Sequence, residues 1–323
     1  MNNEINQRKL IDMVIFSAHT KTTIGIYIGF FILLGISYII SPASATVRDF
    51  MNLLKQSSGL GILSIGQTMV IMLGGIDLCL GSIVTLVHVI TIGLMHGNPN
   101  NIVPVCLLGM FLGCVAGFFN GFGITKAKIA PFVMTLCTDF ILKGIYMIYT
   151  KGQPKGVLAE SFRDLGRIRF FGVLPLAVIF WFLFTIIFIF IMSKTLFGKS
   201  VRMIGANPKC SYFSGTNNDI IIITVYMLAG FLAAVAAIIL SMDMSAASLN
   251  LGLNYSMDSI SAVVIGGTMF SGGIGGIEGT VAGTLIIRLI TALLQKANVA
   301  NWGKLIIQSV LILTVVAANA KRK

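Results

Sequence analysis

The segment IVPVCLLGMFLGCVAGFFNGF, at residues 102–122, contains no charged side chain and sets the environment in which the whole chain must fold. A helix needs about 20 mainly apolar residues to cross the roughly 30 Å hydrocarbon core of a bilayer. The segment reaches that length without interruption. It is therefore predicted to be a transmembrane helix.

The composition of the whole chain agrees with a membrane environment. Only 11% of the residues are charged and 56% are hydrophobic, whereas about a quarter of the residues in soluble domains are charged. The 35 glycines suit helices that pack closely through small residues. The net charge of +12 could indicate nucleic-acid binding, but the cations are scattered between apolar stretches, so we expect no nucleic-acid partner. The five cysteines lack CxxC spacing and are expected to be buried, without disulfides.

Six stretches are predicted to be membrane spans, and four shorter, glycine-interrupted stretches cannot remain in water either. The six spans cover residues 23–40, 102–122, 131–150, 173–192, 220–240 and 305–317, and the shorter pieces cover residues 59–74, 81–95, 257–268 and 279–295. The predicted fold is an all-α integral membrane protein with about ten transmembrane helices, some of them short, broken or re-entrant. Residues 1–323 would form a single polytopic transmembrane domain.

The distribution of lysine and arginine predicts the orientation of the chain. Ten passages with a cytoplasmic N-terminal segment at residues 1–22 place more cations inside than outside. Two polar connections are long: residues 151–172, predicted outside, and residues 193–219, predicted inside. The outer connection carries most of the cations that oppose the positive-inside rule, so it is either a binding surface or a place where the topology is wrong.

A few polar side chains lie in apolar segments, where a charged group costs about 2.5–3.5 kcal/mol on insertion scales. Asp77, in GGIDLCLGS at residues 74–82, is expected to break or cap a helix, with direct contact to a polar substrate as the alternative. Asp139 and Lys143 are four residues apart and can neutralise each other on one helix face. Thr135 and Thr138 lie on the same helix, where their hydroxyls would suit a polyhydroxylated solute.

Two other polar residues have simpler expected roles, and no catalytic pattern is evident. His88 is predicted to be a hydrogen-bonded core residue, and Arg288 is predicted to reach the membrane interface. Gly198-Lys199-Ser200 lacks the glycine five residues earlier that a phosphate-binding loop requires. We therefore expect no catalytic residue, no metal site and no nucleotide site in this chain, and we predict that it is not an enzyme.

Four blocks of sequence occur in a characteristic order. They are GGIDLCLGS at residues 74–82, Asn120-Gly121 followed by PFVMTLCT at residues 131–138, GKSVRMIGANPKCSYFSG at residues 198–215, and AVVIGGT at residues 262–268. In this order and spacing they closely resemble the membrane permease subunits of bacterial ABC importers for ribose and other monosaccharides. The resemblance covers nearly the whole chain, from about Gly59 to the last predicted span.

The resemblance implies a permease of the bacterial cytoplasmic (inner) membrane that works by alternating access. Its partners would be a cytoplasmic ABC ATPase that binds ATP and Mg²⁺, an extracytoplasmic sugar-binding protein, and a second permease in a homodimer or a heterodimer with a sister permease. The chain itself would hold no cofactor. Its substrate pathway is expected to include Asp77, Asn120, Thr135, Thr138, Asp139 and Lys143.

The inner connection at residues 193–219 matches the family's coupling loop, whose short helix inserts into a cleft of the ATPase. A short helix is predicted at residues 209–215, after the breaks at Gly205, Asn207 and Pro208. We expect these three residues, with Ser214 and Gly215, to form the ATPase-coupling site. The family commonly has small residues where this chain has KCSYF at residues 209–213, which suggests a contact specialised for one ATPase.

Other solutes and another transport class stay open. Permeases for nucleosides, for an autoinducer sugar or for branched-chain amino acids share the architecture that the resemblance implies. An ion-coupled secondary transporter is a further alternative, in which Asp77 would coordinate the coupling cation at a broken helix.

Overall fold

The structure is a computed structural model that describes residues 23–39, 46–244, 246–297, 299, 303, 305–307, 309–310 and 313–314. Five of its helices are long and apolar enough to cross a membrane: Pro99–Thr125, Pro131–Thr150, Leu176–Lys194, Asn218–Ser241 and Ile277–Lys296. The predicted all-α membrane class is therefore confirmed. The predicted N-terminal segment, residues 1–22, and most of the last predicted span, residues 305–317, lie outside the described residues.

Twelve α-helices between residues 23 and 296, a short 3-10 helix at Pro99–Asn101 and one small strand pair follow each other along the described chain. The helices are α1 (Thr23–Ile39), α2 (Val47–Met72), α3 (Leu80–Met95), α4 (Ile102–Thr125), α5 (Pro131–Thr150), α6 (Glu160–Arg167), α7 (Leu176–Lys194), α8 (Leu196–Ala206), α9 (Pro208–Phe213), α10 (Asn218–Ser241), α11 (Tyr255–Ile265) and α12 (Ile277–Lys296). The strands β1 (Arg169–Phe170) and β2 (Leu174–Pro175) pair antiparallel between α6 and α7. This strand pair was not predicted from the sequence.

Helix α2 is the centre of the fold. Every residue from Ser57 to Met72 is buried, and α7, α10, α11 and α12 pack around it. Helices α4 and α10 are in backbone contact at Gly113 and Gly230, where a side chain on either residue would overlap the carbonyl oxygen of the other. Small residues allow this approach, which supplies the van der Waals contact that holds helices together in lipid.

Two predicted short pieces are parts of longer continuous helices, so the prediction of their length was wrong. Residues 59–72 of the first piece belong to the 26-residue α2, and residues 73–74 follow its end. The first turns of α2 contain polar residues that hid the helix from a search for apolar runs. Thr46 caps this helix by accepting a hydrogen bond from the Asp49 N–H at 3.1 Å. Residues 279–295 belong to the 20-residue α12.

The cysteines are all free, but their expected burial is only partly correct. Cys79 is buried and two others are partly buried. Cys137, on α5, and Cys210, on α9, are exposed at the protein surface. An apolar run in a membrane helix has one face toward lipid, so a hydrophobic sequence context does not by itself place a thiol in the protein interior.

Polar contacts show which elements lie at each end of the helix bundle. At one end Lys55 Nζ, near the start of α2, contacts the Gly166 carbonyl at 2.9 Å and the Asp243 carboxylate just after α10. At the other end Lys126, just after α4, bonds to Asp219, at the start of α10, at 2.7 Å. The two long connections therefore lie at opposite ends: α6 and the β1–β2 hairpin at the first, α8 and α9 at the second.

The chain after α10 turns back into the bundle. Residues 246–254, which we call the re-entrant segment, run along α3 from the end that carries the Gly166 contact toward the N-terminus of α3. At their far end Gly252 and Gly81 are in backbone contact, and a side chain on either would overlap the other's carbonyl oxygen. Helix α11 begins directly afterwards and packs against α12 and α2. The predicted piece at residues 257–268 thus corresponds largely to the short helix α11, which follows the re-entrant segment.

Candidate functional site

The break between α2 and α3 is built around Asp77. Gly74 adopts a left-handed conformation there, with φ of +81°, which glycine tolerates best. The fully buried Asp77 carboxylate accepts a hydrogen bond from the Cys79 N–H through Oδ1 at 2.9 Å. Among the described residues, Oδ2 has no hydrogen-bond partner. Asp77 therefore lies at the predicted break and closes the turn that leads into α3, but it does not cap that helix, whose N-cap residue is Cys79 and has no side-chain cap. Its contact with a solute stays a prediction.

A chain of hydrogen bonds connects the break to α4 and α5. Asn120 Nδ2 donates to Cys79 Sγ at 2.9 Å, and Thr138 Oγ1 donates to Asn120 Oδ1 at 2.6 Å. Thr135 Oγ1 donates to the Ile76 carbonyl at 3.2 Å. These side chains are buried. The structure therefore brings three of the predicted pathway residues together beside the break, as a buried cluster that is not part of the lining of the cleft described next.

The other two predicted pathway residues line a polar cleft of about 150 Å³ between α3, α5 and the re-entrant segment. Lys143 Nζ donates to Asp139 Oδ2 at 2.7 Å, and Ser82 Oγ, on α3, donates to Asp139 Oδ1. The ammonium also lies 5.4 Å from the centre of the Phe140 ring. The predicted neutralisation of Asp139 by Lys143 is confirmed, and it offsets the cost of placing two charges in a membrane helix.

The re-entrant wall of the cleft is attached to one face of α3. The Ser248 N–H donates to His88 Nε2 at 3.0 Å, and the Gly252 N–H donates to Thr85 Oγ1 at 3.0 Å. One turn further, the Gly81 N–H donates to Ser256 Oγ at 2.8 Å. These acceptors and donors recur at helical spacing along α3. We call the three hydrogen bonds the α3 ladder.

His88 serves the ladder as a core residue, as predicted. Because Nε2 accepts a hydrogen bond from the backbone, the neutral ring carries its proton on Nδ1 and donates to Ser241 Oγ, 2.7 Å away. Ser241 in turn donates to the Ala237 carbonyl at 2.7 Å. The buried ring thus joins α3, α10 and the re-entrant segment.

The sequence interpretation missed several residues of the cleft. Ser82 and Tyr146 line it, and so do Leu249, Leu253 and Ser256 from the re-entrant side. A signal existed for Tyr146, because it lies three and seven residues after Lys143 and Asp139 on the same face of α5. No local signal places residues 249–256 beside α3, since that contact joins parts of the chain more than 160 residues apart.

The predicted reach of Arg288 to the membrane interface required its helix to end close by, and the helix does not end there. Helix α12 continues beyond it for two turns to Lys296. The guanidinium carbon lies 4.9 Å from the centre of the Tyr255 ring, a cation–π contact with α11. Among the described residues, Arg288 Nε and Nη2 have no hydrogen-bond partner.

The predicted coupling residues lie in and between α8 and α9. Gly205 is packed against the end of α2, where any side chain would overlap the Met72 carbonyl. Asn207 Oδ1 accepts hydrogen bonds from the N–H groups of the first turn of α9, and Pro208 is the first residue of that helix. The helix ends at Phe213, two residues before the predicted end, and Gly215 follows with φ of +81°. Ser214 Oγ donates back to the Cys210 carbonyl at 2.9 Å.

Known proteins resemble this chain over nearly its whole length. Residues 50–316 match the family described as branched-chain amino acid transport system / permease component. The chain is 35% identical over 301 residues to the ribose import permease protein of Bacillus subtilis (strain 168), covering 93% of each chain. It is 32% identical to the ribose import permease protein of Escherichia coli (strain K12), covering 92% of this chain and 93% of that protein.

The galactose/methyl galactoside import permease protein of Escherichia coli (strain K12) is 30% identical over 318 residues, with 92% of this chain and 93% of that protein covered. No solved structure matches the chain. Because the family match and these alignments run almost from end to end, the chain belongs to this family of transport-system permease components and is a multi-pass protein of the bacterial inner membrane.

Proposed function

We propose that the chain is the permease subunit of an ATP-driven ABC importer that moves a monosaccharide into the cytoplasm. The near full-length similarity to two ribose import permeases and to a galactose/methyl galactoside import permease carries this proposal. The cleft supports it, because hydroxyl, carboxylate and ammonium groups within a membrane bundle suit the passage of a hydroxylated solute.

The proposed architecture is one polytopic domain of ten passages over residues 1–323. Eight helices supply eight of them: α1, α2, α3, α4, α5, α7, α10 and α12. The re-entrant segment with α11 supplies another, and the last is the predicted span at residues 305–317. Residues 1–22 would lie in the cytoplasm. The second permease of the dimer would be an identical copy or a sister permease.

The proposed mechanism is alternating access driven by partners at the two ends of the bundle. A loaded sugar-binding protein would dock on the end that carries α6 and the β1–β2 hairpin. The ATPase would receive α9 and bind ATP and Mg²⁺, so the permease needs no cofactor of its own. Rigid-body movement of the bundle would then expose the cleft to the cytoplasm.

The packing of the inner connection supports transmission of force to the pathway. Gly205 of α8 touches the Met72 carbonyl at the end of α2, and the break around Asp77 begins directly after Met72. A push on α9 would therefore reach the base of α3, which forms one wall of the cleft. The substrate pathway proposed on this basis comprises Asp77, Asn120, Thr135, Thr138, Asp139 and Lys143.

Uptake by proteoliposomes tests the proposed function. The permease would be reconstituted with and without a candidate ABC ATPase and a candidate sugar-binding protein from the same bacterium, and with or without internal ATP. The solutes would be radiolabelled ribose, galactose, adenosine and leucine. Sugar uptake that requires ATP and the binding protein is the expected result. If leucine or adenosine is taken up and neither sugar is, the importer is specific for that solute class instead. Uptake by the permease without its partners, driven by a sodium or proton gradient, would overturn the proposal.

A further inference from the structure

The walls of the cleft differ in how much hydrogen-bonding capacity they leave for a solute. Where α3 meets the re-entrant segment, Thr85 Oγ1 accepts from the Gly252 N–H and donates to the Gly81 carbonyl at 3.1 Å. Ser256 Oγ accepts from Gly81 and donates to the Leu78 carbonyl at 2.7 Å. Both hydroxyl protons are therefore already used within the protein.

On the α5 side, some hydrogen-bond donors and acceptors have no partner within the described part of the protein. An ammonium group has three N–H donors, and the structure gives Lys143 one oxygen partner, Asp139 Oδ2. Asp139 accepts one bond on each oxygen, from Ser82 and from Lys143, although each carboxylate oxygen can accept two. The Lys143 side chain is 39% exposed, against 11% for Asp139, so it is accessible from the cleft.

We propose that Ser82, Asp139 and Lys143 form a hydroxyl-binding station, a site in the cleft that takes neutral polyhydroxylated solutes and rejects charged ones. Donor and acceptor atoms stand next to each other there, 2.7 Å apart between Lys143 Nζ and Asp139 Oδ2. One solute hydroxyl can accept from the ammonium while it, or a neighbouring hydroxyl, donates to the carboxylate. This inference rests on the proposed function and identifies where the permease meets its solute.

The same geometry argues against a charged solute. The Asp139–Lys143 pair is neutral as a unit, so it gives no net attraction to a carboxylate or an ammonium ion. A solute carboxylate that accepts from the free N–H groups of Lys143 would lie beside the Asp139 carboxylate, and a solute ammonium that donates to Asp139 would lie beside Lys143. Repulsion between like charges therefore opposes the binding of either ion. The remaining lining is apolar and suits the C–H faces of a sugar ring: Leu78, Leu136, Leu249, Leu253 and Met257.

A double-variant comparison separates solute binding from simple stabilisation of the fold. Asp139→Asn and Lys143→Met would each leave one buried charge unpaired, whereas the double variant removes both charges together. We expect the double variant to return to the wild-type yield and thermal stability while its rate of ribose or galactose uptake stays at least about tenfold below wild type. The ATPase activity stimulated by the loaded binding protein should remain, so that hydrolysis is uncoupled from uptake.

Lys126→Met is the matched control, since Lys126 also forms a 2.7 Å ion pair but lies just after α4, outside the cleft lining. It should keep wild-type uptake. Recovery of uptake in the Asp139→Asn/Lys143→Met double variant would overturn the hydroxyl-binding station and leave the proposed function intact. Absence of sugar uptake by the wild-type assembly would instead contradict the proposed function itself.

Protection from a thiol reagent tests the solute class at the site, even if a charge variant fails to fold. Leu253, 65% exposed on the re-entrant wall, would be changed to cysteine in a chain whose exposed Cys137 and Cys210 are serine. Ribose or galactose in the complete transporter should slow labelling of Leu253→Cys severalfold, and leucine should not. Protection by leucine alone, or by none of these solutes, would contradict the station.

Discussion

At the scale of single residues, Asp77 stabilises the break between α2 and α3 through a hydrogen bond to only one of its two carboxylate oxygens. Its Oδ1 accepts the Cys79 N–H, while Oδ2 has no hydrogen-bond partner among the described residues. The turn needs an acceptor at this position and does not need a negative charge. An asparagine could therefore supply the same oxygen at a lower cost of burial.

The Asp77 variants give a prediction that separates these two properties. Asp77→Ala removes the acceptor of the turn and should destabilise the permease by about 1 kcal/mol, the usual net cost of losing one hydrogen bond. Asp77→Asn keeps the acceptor and should match the wild type in yield and in thermal unfolding midpoint, measured on purified protein in detergent. If Asp77→Asn folds normally but loses uptake, the charge itself has a solute or gating role.

At the scale of secondary-structure elements, the α3 ladder explains how an irregular stretch of chain is held inside a membrane bundle. Backbone N–H groups in lipid must find acceptors, and side chains of α3 provide them for Ser248 and Gly252. The re-entrant segment is thus fixed by discrete bonds along one helix face. This also keeps it in position as a wall of the cleft.

We expect Thr85→Val to loosen the re-entrant segment, because it leaves the Gly252 N–H without its acceptor. Loss of a buried hydrogen bond costs about 1–3 kcal/mol, so amide exchange in residues 246–254 should accelerate about tenfold or more, measured by hydrogen–deuterium exchange mass spectrometry. Thr91→Val is the matched control on the same helix: Thr91 Oγ1 is buried without a partner among the described residues, so its loss should leave exchange unchanged. Equal exchange in both variants would contradict the ladder.

The elements also show where sequence reasoning succeeds and where it stops. Helix α5 was predicted with its observed bounds, because its apolar run is long and begins at Pro131, a residue suited to a first helical turn. The Asp139–Lys143 pair could be predicted because it lies within one helix. The ladder, the cleft and the contact of Arg288 with Tyr255 could not, since each depends on elements that are distant in sequence and meet only through tertiary packing.

At the scale of the whole molecule, each end of the bundle presents an exposed aromatic side chain. Phe213, at the end of α9, is 85% exposed, next to Tyr212 at 70%. Phe171, at the tip of the β1–β2 hairpin, is 100% exposed and has φ of +52°. Exposed aromatics that become buried on association often dominate binding energy. The two ends therefore offer separate contacts for the two soluble partners of the proposed importer.

A crossed pair of variants tests this division. Phe213→Ala should weaken binding of the ATPase more than tenfold and leave the binding protein unaffected, because α9 carries the proposed ATPase contact. Phe171→Ala, the same change at the opposite end, should weaken binding of the loaded binding protein and leave the ATPase unaffected. Each affinity would be measured on permease in lipid nanodiscs with the purified partners, so that each variant is the control for the other. Unchanged ATPase affinity in Phe213→Ala would show that α9 is not the coupling helix, and a loss of both affinities in either variant would contradict the independence of the two ends.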